Sequence, residues 1–200
     1  MSFASSRFIP TTLARSTPAR TTLARTLLAC VLSWPIVGAR ADALQDAGAA
    51  ILRKDYPTAV KLLEPLARRG DALAQLQFGL LYYHGHGVRE SDAAALQWFE
   101  RAARQGLAEA QFHLGNMYAY GLVPDAELAD RLAAQWYFEA ARQGHAQAQY
   151  SLGILFLTGS GVQQDADEAR KWIALAAAQG HADAKAYVTG AAGAAGSARP

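Results

Sequence analysis

The side chains best equipped for chemistry are the five histidines, and His84 and His86 lie closest together. They flank Gly85 beside Tyr83, and an i,i+2 pair of imidazoles can bind a metal ion. A structural zinc site takes four ligands and a catalytic one three. No cysteine and no third histidine lies nearby in sequence, so the pair reads as filler in a loop between helices. His145 and His181 each follow a Gln-Gly pair, and recurrence at a junction points to structure, while His113 stands alone on a helix. Beyond residue 41 serine occurs only as Ser91, Ser151, Ser160 and Ser197. None sits in Gly-x-Ser-x-Gly or Ser-x-x-Lys, contexts that activate a hydroxyl. Asp165, Asp167 and Glu168 cluster where a helix should start, and capping with the helix dipole accounts for them. No glycine loop joins a strand to a helix to cradle phosphate. These residues predict no catalytic site, no cofactor and no metal.

What positions these residues is a repeat, sought first because it decides the fold. Residues 71–106, 107–144 and 145–180 are units of 36, 38 and 36 residues. Each opens with Ala74-Gln75, Ala110-Gln111 or Ala148-Gln149, then carries Gly79, Gly115 or Gly153 with Tyr82, Tyr118 or Phe156 three residues on. A second glycine follows (Gly85, Gly121, Gly159), then Ala95/Trp98, Ala133/Trp136 or Ala169/Trp172, and every unit finishes on Ala-Ala and Gln-Gly. One unit makes two short antiparallel helices. Ala74, Phe78, Leu81 and Tyr82 give the first its helical spacing. The second starts at Ser91/Asp92 or Asp165, good N-cap types, and Asp165 with Glu168 fits a capping box. Glycine within the first helix costs about 1 kcal/mol against alanine. Its presence in all three units predicts close helix approach under the tryptophans, which are placed in the inter-helix core.

These residues resemble the Sel-1-like repeat family, relatives of tetratricopeptide repeats. The family pattern runs Ala-x-x-x-Leu-Gly-x-x-Tyr, Gly-x-Gly-Val, Ala-x-x-Trp and Ala-Ala-x-x-Gly. The first unit supplies Phe78-Gly79, Gly85-His86-Gly87-Val88, Ala95 and Trp98, and the third supplies Leu152-Gly153, Gly159-Ser160-Gly161-Val162, Ala169 and Trp172. The second departs with Gly121-Leu122-Val123-Pro124 and two extra residues, so its inter-helix loop should differ in shape. The resemblance implies an all-α fold, a right-handed α-solenoid of antiparallel helix pairs. Residues 42–70, with Ala59, Leu62, Leu63 and Leu66 on one face, read as a degenerate tetratricopeptide-like pair capping the stack, as repeat arrays require. Residues 181–189 read as a C-terminal capping helix and 190–200 as a disordered tail.

Aligned as tetratricopeptide repeats are, the first helices would line a concave wall with Leu76, Leu80, Tyr83 and His84, then Phe112, Asn116 and Tyr120, then Tyr150, Ile154, Leu157 and Thr158. Helices apolar all round are normally buried, so these residues either pack neighbouring first helices together or form a groove for a partner helix or extended peptide. The rings of Tyr83, Phe112, Tyr120 and Tyr150 would make a continuous stripe.

Residues 1–41 carry Arg7, Arg15, Arg20, Arg25 and Arg40 and no acid. The apolar run from Leu27 to Val37, followed by Ala39-x-Ala41, reads as a signal peptide released before Asp42. Eleven residues are too few to span a bilayer. Leu27-Leu28-Ala29-Cys30 resembles a lipoprotein box, and a lipid anchor on Cys30 is the alternative. Cleavage at Ala41 would remove this only cysteine. The remainder has 14 Lys and Arg against 17 acids, a net charge of −3, which argues against a nucleic-acid footprint. The expectation is a non-catalytic periplasmic or secreted scaffold or regulator that binds a protein partner of the bacterial cell envelope, with no membrane insertion after signal cleavage. The alternatives are a penicillin-binding or peptidoglycan-acting enzyme and a structural component of an envelope secretion complex. Relatives linked to penicillin binding are cysteine-rich, and this chain lacks their cysteines.

Overall fold

The computed structural model describes residues 40–121 and 126–196. The leader up to residue 39 and the altered loop at Leu122–Val123–Pro124 lie outside them. From Asp42 onward the described helices belong to one contact unit, and among the described residues no strand occurs. Helix α1 covers 40–52. It is followed by α2 (Tyr56–Arg68), α3 (Ala72–His84), α4 (Asp92–Arg104), α5 (Ala108–Ala119), α6 (Ala126–Arg142), α7 (Ala146–Thr158), α8 (Ala166–Ala178) and α9 (Ala182–Gly196). Successive helices pack pairwise along the chain, giving an α-solenoid of antiparallel pairs. The last helix runs past residue 189, where the sequence reading ends it and begins a disordered tail, as far as Gly196.

Helix ends follow local chemistry. Asp71 Oδ1 accepts from the Ala74 N–H at 2.9 Å, and Ser91 Oγ accepts from Ala94 at 3.2 Å. At the position of Asp71, histidine opens the third unit and precedes the C-terminal helix α9. His145 and His181 accept the Ala148 and Ala184 N–H groups on Nδ1 at 3.2 and 3.3 Å. The junction histidines are N-caps, each satisfying one orphan donor of the helix it opens. At Asp165 only half of the expected capping box forms. Its carboxylate accepts from the Asp167 and Glu168 N–H groups, but the Glu168 side chain pairs with Lys171. The Asp165 N–H goes instead to the Phe156 carbonyl at 2.9 Å, so nothing is left for Glu168 to accept.

The glycines within the first helices mark the closest approach of the two helices in a unit. A Cβ on Gly79 would lie 2.7 Å from the Phe99 ring, one on Gly115 would lie 2.7 Å from Tyr137, and one on Gly153 would lie 2.5 Å from Ile173. The group over each glycine is therefore the residue after the tryptophan. Phe99, Tyr137 and Ile173 are buried, while Trp98, Trp136 and Trp172 are only half-buried. The tryptophans do pack against the core, half-buried at its edge, so the correction concerns which residue covers the glycines. One position along a helix is a rotation of about 100°, enough to turn the indole from the contact line to its flank. In Gly-x-Gly-Val the second glycine faces the preceding unit. A Cβ on Gly87 would meet the Tyr56 backbone 2.9 Å away, and one on Gly161 would strike the backbone at Asp130.

Polar contacts stitch the units together. Gln75, Gln111 and Gln149 are buried, and each donates its side-chain amide to the carbonyl of Ala67, Ala103 or Ala141 in the preceding unit, at 3.1, 3.2 and 3.1 Å. Each in turn accepts from the glutamine that ends its own unit, Gln105, Gln143 or Gln179, at 2.8, 2.7 and 2.7 Å. Among the described residues no buried side-chain polar atom lacks a partner.

Gly115→Ala tests the close approach. Alanine gains about 1 kcal/mol of helix propensity, but overpacking typically costs 1–3 kcal/mol, and the Tyr137 ring is held from its far end by a hydrogen bond to Asn116. The thermal midpoint should fall. Gly48→Ala, where nothing lies within 4 Å, should raise it. A rise in both would mean that the helices part without penalty.

Candidate functional site

The residues with room around them gather where the ends of α3 and α5 meet the start of α4. Tyr83 and His84 are the last residues of α3, which stops at Gly85 in the left-handed conformation (φ 66°). The His86 N–H returns to the Leu81 carbonyl at 2.9 Å, and the Ser91 N–H reaches the Tyr82 carbonyl at 3.0 Å. These bonds fold the loop back, bringing Glu90 and Asp92 beside Tyr83 and His84. The other wall is α5. Met117 is buried, and Tyr120, the C-cap residue, donates its N–H to the Asn116 carbonyl at 2.9 Å.

Tyr83, His84, Glu90, Asp92, Met117 and Tyr120 line a cleft of about 500 Å³. A second cavity of about 180 Å³ shares Tyr83, His84, Met117 and Tyr120 and adds Phe99, His113 and Asn116. Tyr120 is 77% exposed and Tyr83 37%. Tyr120 is the most exposed aromatic ring among the described residues, and it stands beside apolar lining and charged groups.

Beneath the cleft lies a histidine relay between units two and three. The His145 ring accepts its cap on Nδ1, so its proton sits on Nε2 and is donated to Glu109 Oε2 at 2.9 Å. Glu109 Oε1 also lies 3.5 Å from His113 Nε2. His113 stacks on Phe99 at 5.2 Å, and His145 stacks on Phe112 at 4.7 Å. Burial holds the His113 imidazole below the ordinary histidine range, against the opposing pull of Glu109. Burial likewise pushes the Tyr137 phenol up, and its hydroxyl donates to Asn116 Oδ1 at 2.7 Å.

Of the residues expected on the concave wall, the structure brings Tyr83, His84, Asn116 and Tyr120 together at these cavities. Leu76, only 4% exposed, is core and not surface. Leu80 is half-buried against the same core. Phe112 and Tyr150 stack on the N-cap imidazoles His145 and His181 of the following unit. The continuous aromatic stripe is therefore broken, because two of its four rings pack one unit on the next. Ile154 and Leu157 lie against the α8–α9 cluster, and the exposed Thr158 returns its hydroxyl to the Ile154 carbonyl. His86 stacks on Tyr56 at 4.2 Å, and among the described residues no three metal-ligating side chains converge. Sequence reasoning missed Glu90, Asp92, Met117, His113 and Phe99. Glu90 and Asp92 flank the cap residue Ser91, and that proximity to a helix start was the available signal.

The Sel1 repeat family model matches residues 43–71, 72–107, 108–145 and 146–181, so its first match covers the N-terminal pair read as a degenerate tetratricopeptide-like unit. Among solved structures, the chain is similar to a Sel1 repeat protein from Oxalobacter formigenes, with 34% identity over 72% of this chain and 56% of that one, at a TM-score of 0.65. It is also similar to c5321, a protective antigen present in uropathogenic Escherichia coli strains that displays an SLR fold, with 35% identity over 62% of this chain and 26% of that one, at a TM-score of 0.59. The chain thus spans about half and about a quarter of the lengths of these two proteins. A comparison with curated proteins gives no match.

The position of His113 sets a pH dependence. Unfolded, this histidine takes up a proton near pH 6.5, and folded only at a lower pH. The unfolded state then binds more protons as pH falls, so stability that is full above pH 6.5 is lost as pH drops through the folded value. The thermal midpoint should decline between pH 7.5 and 5.5, and His113→Gln should make that decline shallower. A parallel decline in the variant would assign the effect to other groups.

Proposed function

The chain belongs to the Sel1 repeat family, and on that premise we propose that it is a scaffold or regulator of the bacterial cell envelope that holds a protein partner at the α3–α5 cleft. Sel1 repeats generally mediate protein–protein interaction, and Sel1 repeat proteins are typically non-catalytic scaffolds. The observation that carries the choice of surface is the pairing of exposed Tyr120 and Tyr83 over a cavity of about 500 Å³. Aromatic side chains around a pocket supply most of the energy at interfaces where few residues dominate. No helix among the described residues is long and apolar enough to cross a membrane. Export rests on the sequence alone, on the short apolar run followed by Ala39-x-Ala41.

Two measurements test this reading. Tyr120→Ala should leave the circular dichroism and thermal midpoint unchanged, because the ring is exposed. It should weaken capture of the envelope partner by at least about 1 kcal/mol, the scale that separates hot spots from neutral contacts. Leu175→Ala, exposed on α8, is the control. Undiminished capture by folded Tyr120→Ala would remove the cleft from the interface. Intact mass of the exported product should correspond to a chain beginning at Asp42 without lipid, and a lipid-modified N-terminal Cys30 would overturn cleavage at Ala41.

A further inference from the structure

The cleft has a chemical sign. Glu90 and Asp92 stand on its rim. Among the described residues no lysine or arginine lines either cavity, and the basic groups there are His84 and the half-buried His113. Glu64, Glu100, Glu127, Glu139 and Glu168 each lie within 4 Å of a lysine or arginine, and Glu109 pairs with two histidines. Glu90 alone of the glutamates among the described residues has no such partner. Tyr83 stands beside it, and the exposed Tyr120 lies on the α5 wall of the same cleft. Elsewhere the protein itself uses rings to hold cations: the Arg101 guanidinium lies 4.5 Å from the Trp98 ring centre and that of Arg142 5.7 Å from Phe138.

The repeat supplies an independent argument. Glu90 and Asp92 correspond to Gln164 and Ala166 in the third unit, and Tyr83 corresponds to Ala119 and Leu157. The Ala, Gln and Gly positions that hold the units together recur, but the rim of this cleft does not. Its charge is therefore not a requirement of the fold.

Resting on the groove proposed above, we infer that the α3–α5 cleft receives a cationic side chain, arginine best, from an extended segment of the partner protein. The guanidinium lies against Tyr83 and Tyr120 and is neutralised by Glu90 and Asp92. Arginine suits the site because its planar, weakly hydrated head stacks on rings and presents paired donors to carboxylates. Its aliphatic stem covers Met117.

The test uses the exported chain from Asp42 and four peptides, Ac-Gly-Ser-Leu-Xaa-Leu-Ser-Gly-NH2, with Arg, Lys, Gln or Glu at the centre. Binding is followed by NMR shifts of the Met117 methyl and Tyr120 ring. The Arg peptide should bind about tenfold more tightly than the Gln peptide, a difference in the range of one desolvated cation–π contact, with Lys between them and Glu weakest. The double variant Glu90→Gln, Asp92→Asn should fold normally and lose the Arg-over-Gln preference, and added salt should do the same to the wild type. Equal binding of the Arg and Gln peptides at these resonances would overturn the cationic side chain while leaving the groove in place. Failure of all four peptides to shift Met117 or Tyr120 would overturn both.

Discussion

The distance between the two helices of a unit governs the rest of the array, and three absent side chains set it. At Gly79, Gly115 and Gly153 the first helix lets a buried Phe99, Tyr137 or Ile173 rest on bare backbone. A side chain there would push the helices apart, and every neighbouring contact is built on their closeness. Interiors pack at near-crystalline density, so such displacement cannot be absorbed locally. The helix-propensity penalty of about 1 kcal/mol per glycine is offset by the large side chain it admits. Asn116 then fixes the Tyr137 hydroxyl, tying a residue of the cavity wall directly to the core.

Stacking unit on unit is a separate problem with a polar solution. The carbonyl at the end of each second helix is already bonded to the glycine N–H that follows: Ala67 to Gly70, Ala103 to Gly106, Ala141 to Gly144. Gln75, Gln111 and Gln149 supply a second donor to these carbonyls from the next unit. A buried amide needs its own partners, and Gln105, Gln143 and Gln179 supply them. The relay holds register as well as energy, since a unit turned out of place would leave a buried amide unpaired, at roughly 1–3 kcal/mol.

The fold was legible because its cause is periodic. Ala-Gln, the helical glycine and the terminal Gln-Gly recur at one offset, and each proves to be a contact between helices or units. The tryptophan was misread for the same reason: it recurs, and recurrence alone does not separate a buried ring from the half-buried one beside it. The candidate site was legible only in part. Tyr83, His84, Asn116 and Tyr120 could be placed from the alignment of units, but Phe112 and Tyr150 could not be seen to stack on His145 and His181. Nothing in sequence spacing sets the angle at which one unit meets the next. Glu90 and Asp92 were missed because a loop bond, Ser91 N–H to the Tyr82 carbonyl, carries them to the cleft.

Division of labour within the unit explains why the cleft lies at the first junction. The first-helix position occupied by Leu76, Phe112 and Tyr150 faces the next unit in every case, and in units two and three an N-cap histidine completes the stack. The position occupied by His84, Tyr120 and Thr158 is the last or capping residue of its helix, past the reach of the following unit's packing, and there side chains are free to differ. Unit one pairs His84 with an open Tyr83, whereas unit three puts the half-buried Leu157 beside Thr158 and turns that hydroxyl back on its own helix. Repeats give a protein many copies of one framework, and function can enter only at positions the framework leaves unspecified. In this chain one such opening is bounded by Tyr83, Glu90, Asp92 and Tyr120, and none of the four is held in common by the three units.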